Sequence, residues 1–317
     1  MLEIGVQSKD AVLDENPTAG FNMLREAGFT CCDFSLNEYL LNTDLYNYNL
    51  NSFFKKSDRE LEEFFKPHKE GAAAAGIRIN QMHMPYPTFV PGASKEQNDF
   101  LWNEVAPKSM RICHYFGCNY IVIHGFKLKN YYGSEEAEWQ KTEEFIRSIA
   151  PMAKEMNITI CMENLYNSKG FHLTEGPCCD AGKAVERMEH INDDFGAEIL
   201  GFCFDTGHAN LVGLDLEDFI GKLGDHLKVL HIHDNDGRAD LHQLPFTFTR
   251  TRENKPSTDW EGFLRALRKI RFDKVLSFET APVLTAFPEK MKLQVLRLIN
   301  ETGIYFKDEI ERKGCLL

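Results

Sequence analysis

The sequence is short of several things that would announce a function. It contains no uninterrupted apolar run of about 18 residues, the length a membrane-spanning helix needs. No C-x-x-C pair occurs, and the nine cysteines are an odd number in which two adjacent pairs, Cys31/Cys32 and Cys178/Cys179, dominate the spacing. That argues against a disulfide framework and against a cysteine zinc site, and leaves the thiols as buried apolar filler. Cys315 sits third from the end in KGCLL, one position off a prenylation signal. Neither G-x-G-x-x-G nor a Walker pattern follows the first apolar stretch, GVQSKDAVLDENPTAG, so a dinucleotide or P-loop fold has no support. Positive charge is also scarce. With 48 acidic against 36 basic residues the formal net charge is −12, which weighs against a protein whose main task is to hold phosphate backbones. The N-terminus, MLEIGVQSKDAVLDE, lacks the basic-then-apolar pattern of an export signal and reads as a first strand, so a cytoplasmic protein is expected.

What is present is a regular alternation. Short β-rich runs fall at 2–7, 30–36, 77–84, 120–126, 158–164, 199–206, 228–234 and 274–280, several of them nearly continuously apolar, as parallel strands covered on both faces should be. Amphipathic helical stretches lie between them, with Asn16-Pro17 as a start signal and Gly28, Gly76 and Gly117 as stops. Pro67, Pro107 and Pro151 fall inside three of these stretches and are expected to kink or divide them. Eight alternations with no strand hairpin predict an α/β fold of the (β/α)8 TIM-barrel type. The whole chain, 1–317, is expected to be one such domain, with an insertion at about 39–56 that would form a lid or a subunit contact, and a long loop at about 235–258.

In such a barrel the chemistry gathers where the strands end. The predicted ends carry His83, His124, Glu163, Asp205, His231 and Glu279, with His208 just beyond the sixth strand and Asp240 and His242 in the loop after the seventh. Taken singly, each has an ordinary reading as a turn residue, a helix cap or a hydrogen-bonded core histidine. Taken together, six consecutive strands would deliver an imidazole or a carboxylate to one rim, where unneutralised carboxylates would repel one another. A divalent cation removes that penalty, and imidazole with carboxylate suits zinc, manganese or cobalt. Of His231 and His233, we take only one to face the site, and choose His231.

At these residues the chain resembles the xylose isomerase-like TIM-barrel superfamily of sugar and sugar-phosphate isomerases, ketose 3-epimerases and metal-dependent AP endonucleases. MEN at Glu163, FDTGHAN from Asp205, HIHDNDGRADLH and SFET at Glu279 carry the likeness. The resemblance to ketose 3-epimerases implies one divalent ion (manganese, cobalt or magnesium; zinc is the metal of the AP endonucleases) on Glu163, Asp205, His231 and Glu279. Glu163 and Glu279 would double as the acid/base pair, with His208 and Arg238 on substrate oxygens. The resemblance to AP endonucleases implies up to three ions, drawing on His83, His124, His208, Asp240 and His242 as well. QLPFTFTRTRENKPSTDW departs from the short glycine-rich segment usual in the family after this loop. Arg238, Arg250 or Arg252 are candidates for holding a substrate phosphate or carboxylate. Tyr86, Phe89 and Tyr131 would either stack on a sugar or wedge into a nucleic-acid helix stack. The expected activity is isomerisation or epimerisation of a small carbohydrate through an enediolate, with no nucleic-acid or membrane partner and with homo-oligomerisation on family grounds. The alternatives are an AP endonuclease-like phosphodiesterase, a lyase or dehydratase on a related polyol, and a non-catalytic sugar-binding relative.

Overall fold

The structure, a computed structural model, describes residues 2–128, 134–170, 172–248 and 258–312. Eight parallel strands form the barrel: β1 Glu3–Gln7, β2 Cys31–Ser35, β3 Arg78–His83, β4 Tyr120–His124, β5 Thr159–Glu163, β6 Leu200–Asp205, β7 Leu227–His231 and β8 Val275–Phe278. Each strand pairs with the next, β8 pairs with β1, and every residue of β2, β5, β6, β7 and β8 is buried. The predicted strands therefore fall in place to within three residues, the largest difference being the end of β7, at His231 where 234 was expected. The ring closes between β7 and β8 through one parallel bridge, Ile232 opposite Phe278. There the Ile232 N–H donates to the Ser277 carbonyl at 2.9 Å and the Glu279 N–H to the Ile232 carbonyl at 3.1 Å. This is a TIM barrel, as the alternation of strand and helix runs predicts.

The helix signals act as expected. The Asn16 side chain accepts the Ala19 N–H ahead of the helix Pro17–Ala27, and Gly28 closes that helix at φ 106°, a conformation that favours glycine. Ser57 and Glu60 form a reciprocal cap at the start of Asp58–Ala75. Two prolines do less than expected. The helices Asp58–Ala75 and Glu135–Met156 run through Pro67 and Pro151, because both rings lie on the exposed face, where a freed carbonyl is satisfied by water. At Pro107 the helix does change: a π-helical stretch, Leu101–Val105, separates Lys95–Phe100 from Ala106–Tyr115 and absorbs the missing N–H.

The expectation of no hairpin is overturned. Tyr166–Lys169 pairs antiparallel with His172–Glu175 between β5 and the next helix. The segment is too polar to give an apolar strand signal, and Gly170, at φ 62°, marks its turn. The insertion at 39–56 consists of short helical turns, and it is anchored by Tyr39 stacked on Phe53 at 4.6 Å between centroids. Of the long loop at 235–258, residues 249–257 lie outside the described residues. The eight described cysteines are all unpaired and, apart from the partly exposed Cys178, buried. No helix among the described residues is long and apolar enough to cross a membrane.

Candidate metal centre and active site

Because all eight strands run the same way, their last residues meet at one rim. His83, His124, Glu163, Asp205 and His231 are the final residues of β3 to β7, and Glu279 follows β8 directly. Asp205 is also the cap of the short helix Thr206–Val212: its Oδ1 accepts the His208 N–H at 2.6 Å. That bond fixes the carboxylate and brings His208 one turn above it. The loop after β7 folds back so that Asp240 and His242 reach the same mouth, with the Nε2 atoms of His208 and His242 at 3.3 and 3.2 Å from Asp240 Oδ2. The DNDG run inside that loop is a turn, in which Asn235 Oδ1 accepts the Gly237 N–H at 2.9 Å.

The contacts interlock. Glu163 Oε2 lies 3.3 Å from His83 Nε2, 3.3 Å from His124 Nε2 and 3.4 Å from His231 Nδ1, while its Oε1 is 3.0 Å from His208 Nδ1. Glu279 Oε2 stands 3.3 Å from the same His231 Nδ1 and 3.7 Å from His242 Nδ1. Among the described residues, five overlapping groups therefore have ligand atoms within 4.8 Å of one another: His83/His124/Glu163, Glu163/Cys203/His231, Glu163/Asp205/His208, Asp205/His231/Glu279 and His233/His242/Glu279. Both ring nitrogens of His231, Nδ1 of His233 and Oδ1 of Asp240 are buried with no hydrogen-bond partner. Buried polar atoms are rarely left this way in a finished structure. Unsatisfied imidazole nitrogens facing carboxylates fit a divalent cation of the zinc, manganese or cobalt type.

Electrostatics give the same picture. Burial alone would keep His208 and His231 neutral, yet the carboxylates around them, Asp205 and Asp240 for the first and Glu279 and Glu163 for the second, hold both well above the usual histidine range. Burial also opposes charge on His242, but Glu279 and Asp240 raise it to about 9. Burial dominates at His124, which is pushed down to about 4 despite Glu163. Glu279 is brought down to about 2, against its burial, by His231 and His242. Without a cation, protons on the imidazoles balance the carboxylates; a bound divalent ion would displace them.

Above this floor opens a cavity of about 500 Å3, whose walls include Tyr86, Phe89, Tyr166 and, from the insertion, Tyr46 and Tyr48. Tyr86 lies with its ring 4.1 Å from that of His124. Arg238 is not brought in: it is exposed, outside the residues lining the cavity. Its backbone N–H is held in the preceding turn by Asp236 Oδ1 at 2.9 Å. Arg250, Arg252 and Tyr131 lie outside the described residues.

The family described as xylose isomerase-like TIM barrel matches residues 21–298. The chain belongs to that family. A solved D-psicose 3-epimerase is similar over 96% of this chain and 99% of its own, with a TM-score of 0.67 and 14% identity. A 3-keto-D-glucoside 4-epimerase from E. coli is similar over 95% of this chain and all of its own, at a TM-score of 0.63 and 13% identity. By sequence, a probable endonuclease 4 of Methanoculleus marisnigri is 28% identical over 188 residues, covering 55% of this chain and 61% of its own.

Four residues at the site escape the sequence reading. His233 is fully buried, with Nε2 3.0 Å from Asp205 Oδ2. The choice of one histidine out of His231 and His233 is thus corrected: residues two apart on an extended chain share a face, so H-x-H should have placed both at the mouth. Asp33, buried in β2, lies 3.4 Å from His231 Nε2, and a carboxylate amid TCCDFSL was its available signal. Gln7, at the end of β1, donates to Glu279 Oε1 at 2.7 Å. Lys127, three residues beyond His124, lines the cavity. Nothing in the sequence marked out Gln7 or Lys127.

Proposed function

We propose that the protein is a divalent-metal-dependent isomerase or epimerase of a carbohydrate, working by proton transfer at carbon. The observation that carries this reading is the convergence of Glu163 and Glu279, from β5 and β8, on one nitrogen of His231 at 3.4 and 3.3 Å. Two glutamates brought to one point from different strands form the pair that a proton shuttle needs. Glu163, Asp205, His231 and Glu279 would hold the cation, and His83, His124, His208, Asp240 and His242 offer ligands for more. A bound divalent ion would supply Lewis acidity toward adjacent carbonyl and hydroxyl oxygens, lowering the cost of an enediolate.

The chain's own groups do the rest. The protonated imidazoles keep Glu279 ionised against its burial in the metal-free cage, and a bound cation would do so once they give up their protons, so Glu279 would enter the reaction able to accept a proton. Gln7 fixes one of its oxygens and leaves the other turned to the cage. For epimerisation Glu163 would enter protonated and deliver its own proton to the opposite face of the same carbon while Glu279 keeps the one it has taken, so one proton leaves Glu163 and one is gained by Glu279; return of the abstracted proton from Glu279 to the neighbouring carbon would yield the isomer. Tyr86 and the lid residues Tyr46 and Tyr48 offer ring faces to the C–H side of a sugar. The epimerase activities of the two similar solved structures agree with this reading.

A second reading, metal-dependent phosphodiester cleavage, is favoured by the ligand set beyond the first four residues and by the likeness to endonuclease 4, and is opposed by the net charge of −12. One experiment separates them. The protein, supplied with manganese, cobalt, zinc or magnesium, is incubated in deuterated water with a panel of ketoses, and in parallel with an abasic-site duplex. Metal-dependent deuterium at carbon, abolished in Glu279→Gln, is the expected result; incision of the duplex with no exchange across the panel would overturn the proposal. Loss of water from a ketose, read by mass, would mark the dehydratase alternative.

A further inference from the structure

Among the described residues that line the cavity, Lys127 is the sole lysine or arginine. Its Nζ donates to the Tyr166 carbonyl at 2.5 Å and lies 5.2 Å from the centroid of the Tyr166 ring, at the root of the hairpin. An ammonium has three N–H donors, and this one spends one of them on a neutral acceptor. The carboxylates within electrostatic reach are Glu163, Asp240 and Glu138, with the thiol of Cys179 also near. Glu138 is occupied by the Leu128 N–H at 2.7 Å, while Glu163 and Asp240 belong to the candidate metal centre. Burial already works against the charge on Lys127. Once the acidic cage is neutralised, the ammonium faces the cavity with little negative charge to offset it, an arrangement that is costly unless an anion arrives. A cavity of about 500 Å3 falls within the usual range for small-molecule sites, roughly 300–1,000 Å3, and leaves space beyond the reacting carbons for a substituent.

We propose that Lys127 binds an anionic substituent of the substrate, a phosphate or a carboxylate, away from the carbon that exchanges its proton. This rests on the carbohydrate reading above and narrows it: the substrate is a sugar phosphate or a sugar acid. Of the three arginines expected near the mouth, Arg238 is exposed and outside the cavity lining, and Arg250 and Arg252 lie outside the described residues.

The test is binding, measured by calorimetry on the metal-loaded full chain with D-fructose, D-fructose 6-phosphate and D-fructuronate, for the wild type, Lys127→Met and Lys127→Arg. The wild type should bind one anionic sugar about tenfold or more tighter than fructose. Lys127→Met should abolish that preference while leaving fructose unchanged, and Lys127→Arg should keep much of it. Whichever anion is preferred identifies the substituent. No preference in the wild type, or a preference that survives Lys127→Met, overturns the proposal. Equal weakening of all three sugars in Lys127→Met does so too, since it would mean the lysine only pins the hairpin. Deuterium exchange is read separately. Lys127-dependent anion binding without exchange would defeat the isomerase reading alone, whereas exchange on ketoses with no Lys127-dependent preference for either anionic sugar would defeat the anion site alone.

Discussion

His233 and His242 stack face to face, their ring centroids 4.0 Å apart and their planes 12° from parallel. The contact joins the end of β7 to the loop that returns over the mouth, and it depends on a residue with no side chain. A Cβ at Gly207 would overlap the His233 ring. Gly207 thus makes room for a histidine that sits against Asp205 on one side and His242 on the other.

Gly207→Ala should therefore destabilise the fold by about 1–3 kcal/mol, the usual cost of overpacking, and should lower bound metal by displacing His233 from Asp205. Urea unfolding gives the first quantity, and elemental analysis after dialysis against a fixed free metal concentration gives the second. Full metal content in a well-folded variant would show that the stack has no part in holding the cage.

Stripping the protein with a chelator should lower its melting temperature, and titrating manganese or zinc back should raise it with the logarithm of free metal. A ligand confined to the folded state adds about 2.7 kcal/mol at a hundred times its dissociation constant. A melting temperature indifferent to chelator and to added metal would remove the cation from the account.

The metal-free protein should also be sensitive to pH. His242 is raised from 6.5 to about 9 in the fold, so the stability it contributes is complete below pH 6.5 and is lost as pH rises through 9. Glu279 is lowered from 4.5 to about 2, so its contribution is present above pH 4.5 and is lost as pH falls through 2. Denaturation midpoints of the stripped protein should form a plateau between about pH 4.5 and 6.5 and decline on the alkaline side. A flat profile from pH 6.5 to 9 would contradict the assignment of His242.

Gln7 holds one oxygen of Glu279 at 2.7 Å. Gln7→Leu should reduce kcat for proton exchange about tenfold while changing KM little, because it removes orientation and no substrate contact. Gln7→Asn, too short to reach, should resemble the leucine variant, and the two pH profiles should move together as Glu279 loses its donor. Unchanged kcat in both would reduce Gln7 to a packing residue.

The barrel was legible in the sequence because buried parallel strands leave apolar runs that polar helices and loops separate. The rim was legible because His83, His124, Glu163, Asp205 and His231 each close such a run. What sequence could not supply was direction. Arg238 has the right charge in the right loop, but it is exposed and outside the cavity lining, and only the folded backbone decides that. Asp33 and His233 were readable in principle: one is a carboxylate inside an apolar strand, the other stands two residues from a predicted ligand. The hairpin at 166–175 offered no such mark, since its strands are too polar and too short for periodicity to register.

The seam between β7 and β8 gains a new meaning from its neighbours. It is closed by one bridged pair, Ile232 and Phe278, where β4 and β5 share five. His231 and Glu279 stand directly beside that pair, on either side of the junction. An ion gripped by both would rivet the cylinder at its least-stitched joint, so that loading the site and fastening the barrel become one event. The amides of Ile232 and Glu279 should then exchange with solvent more slowly in the loaded protein than in the stripped one.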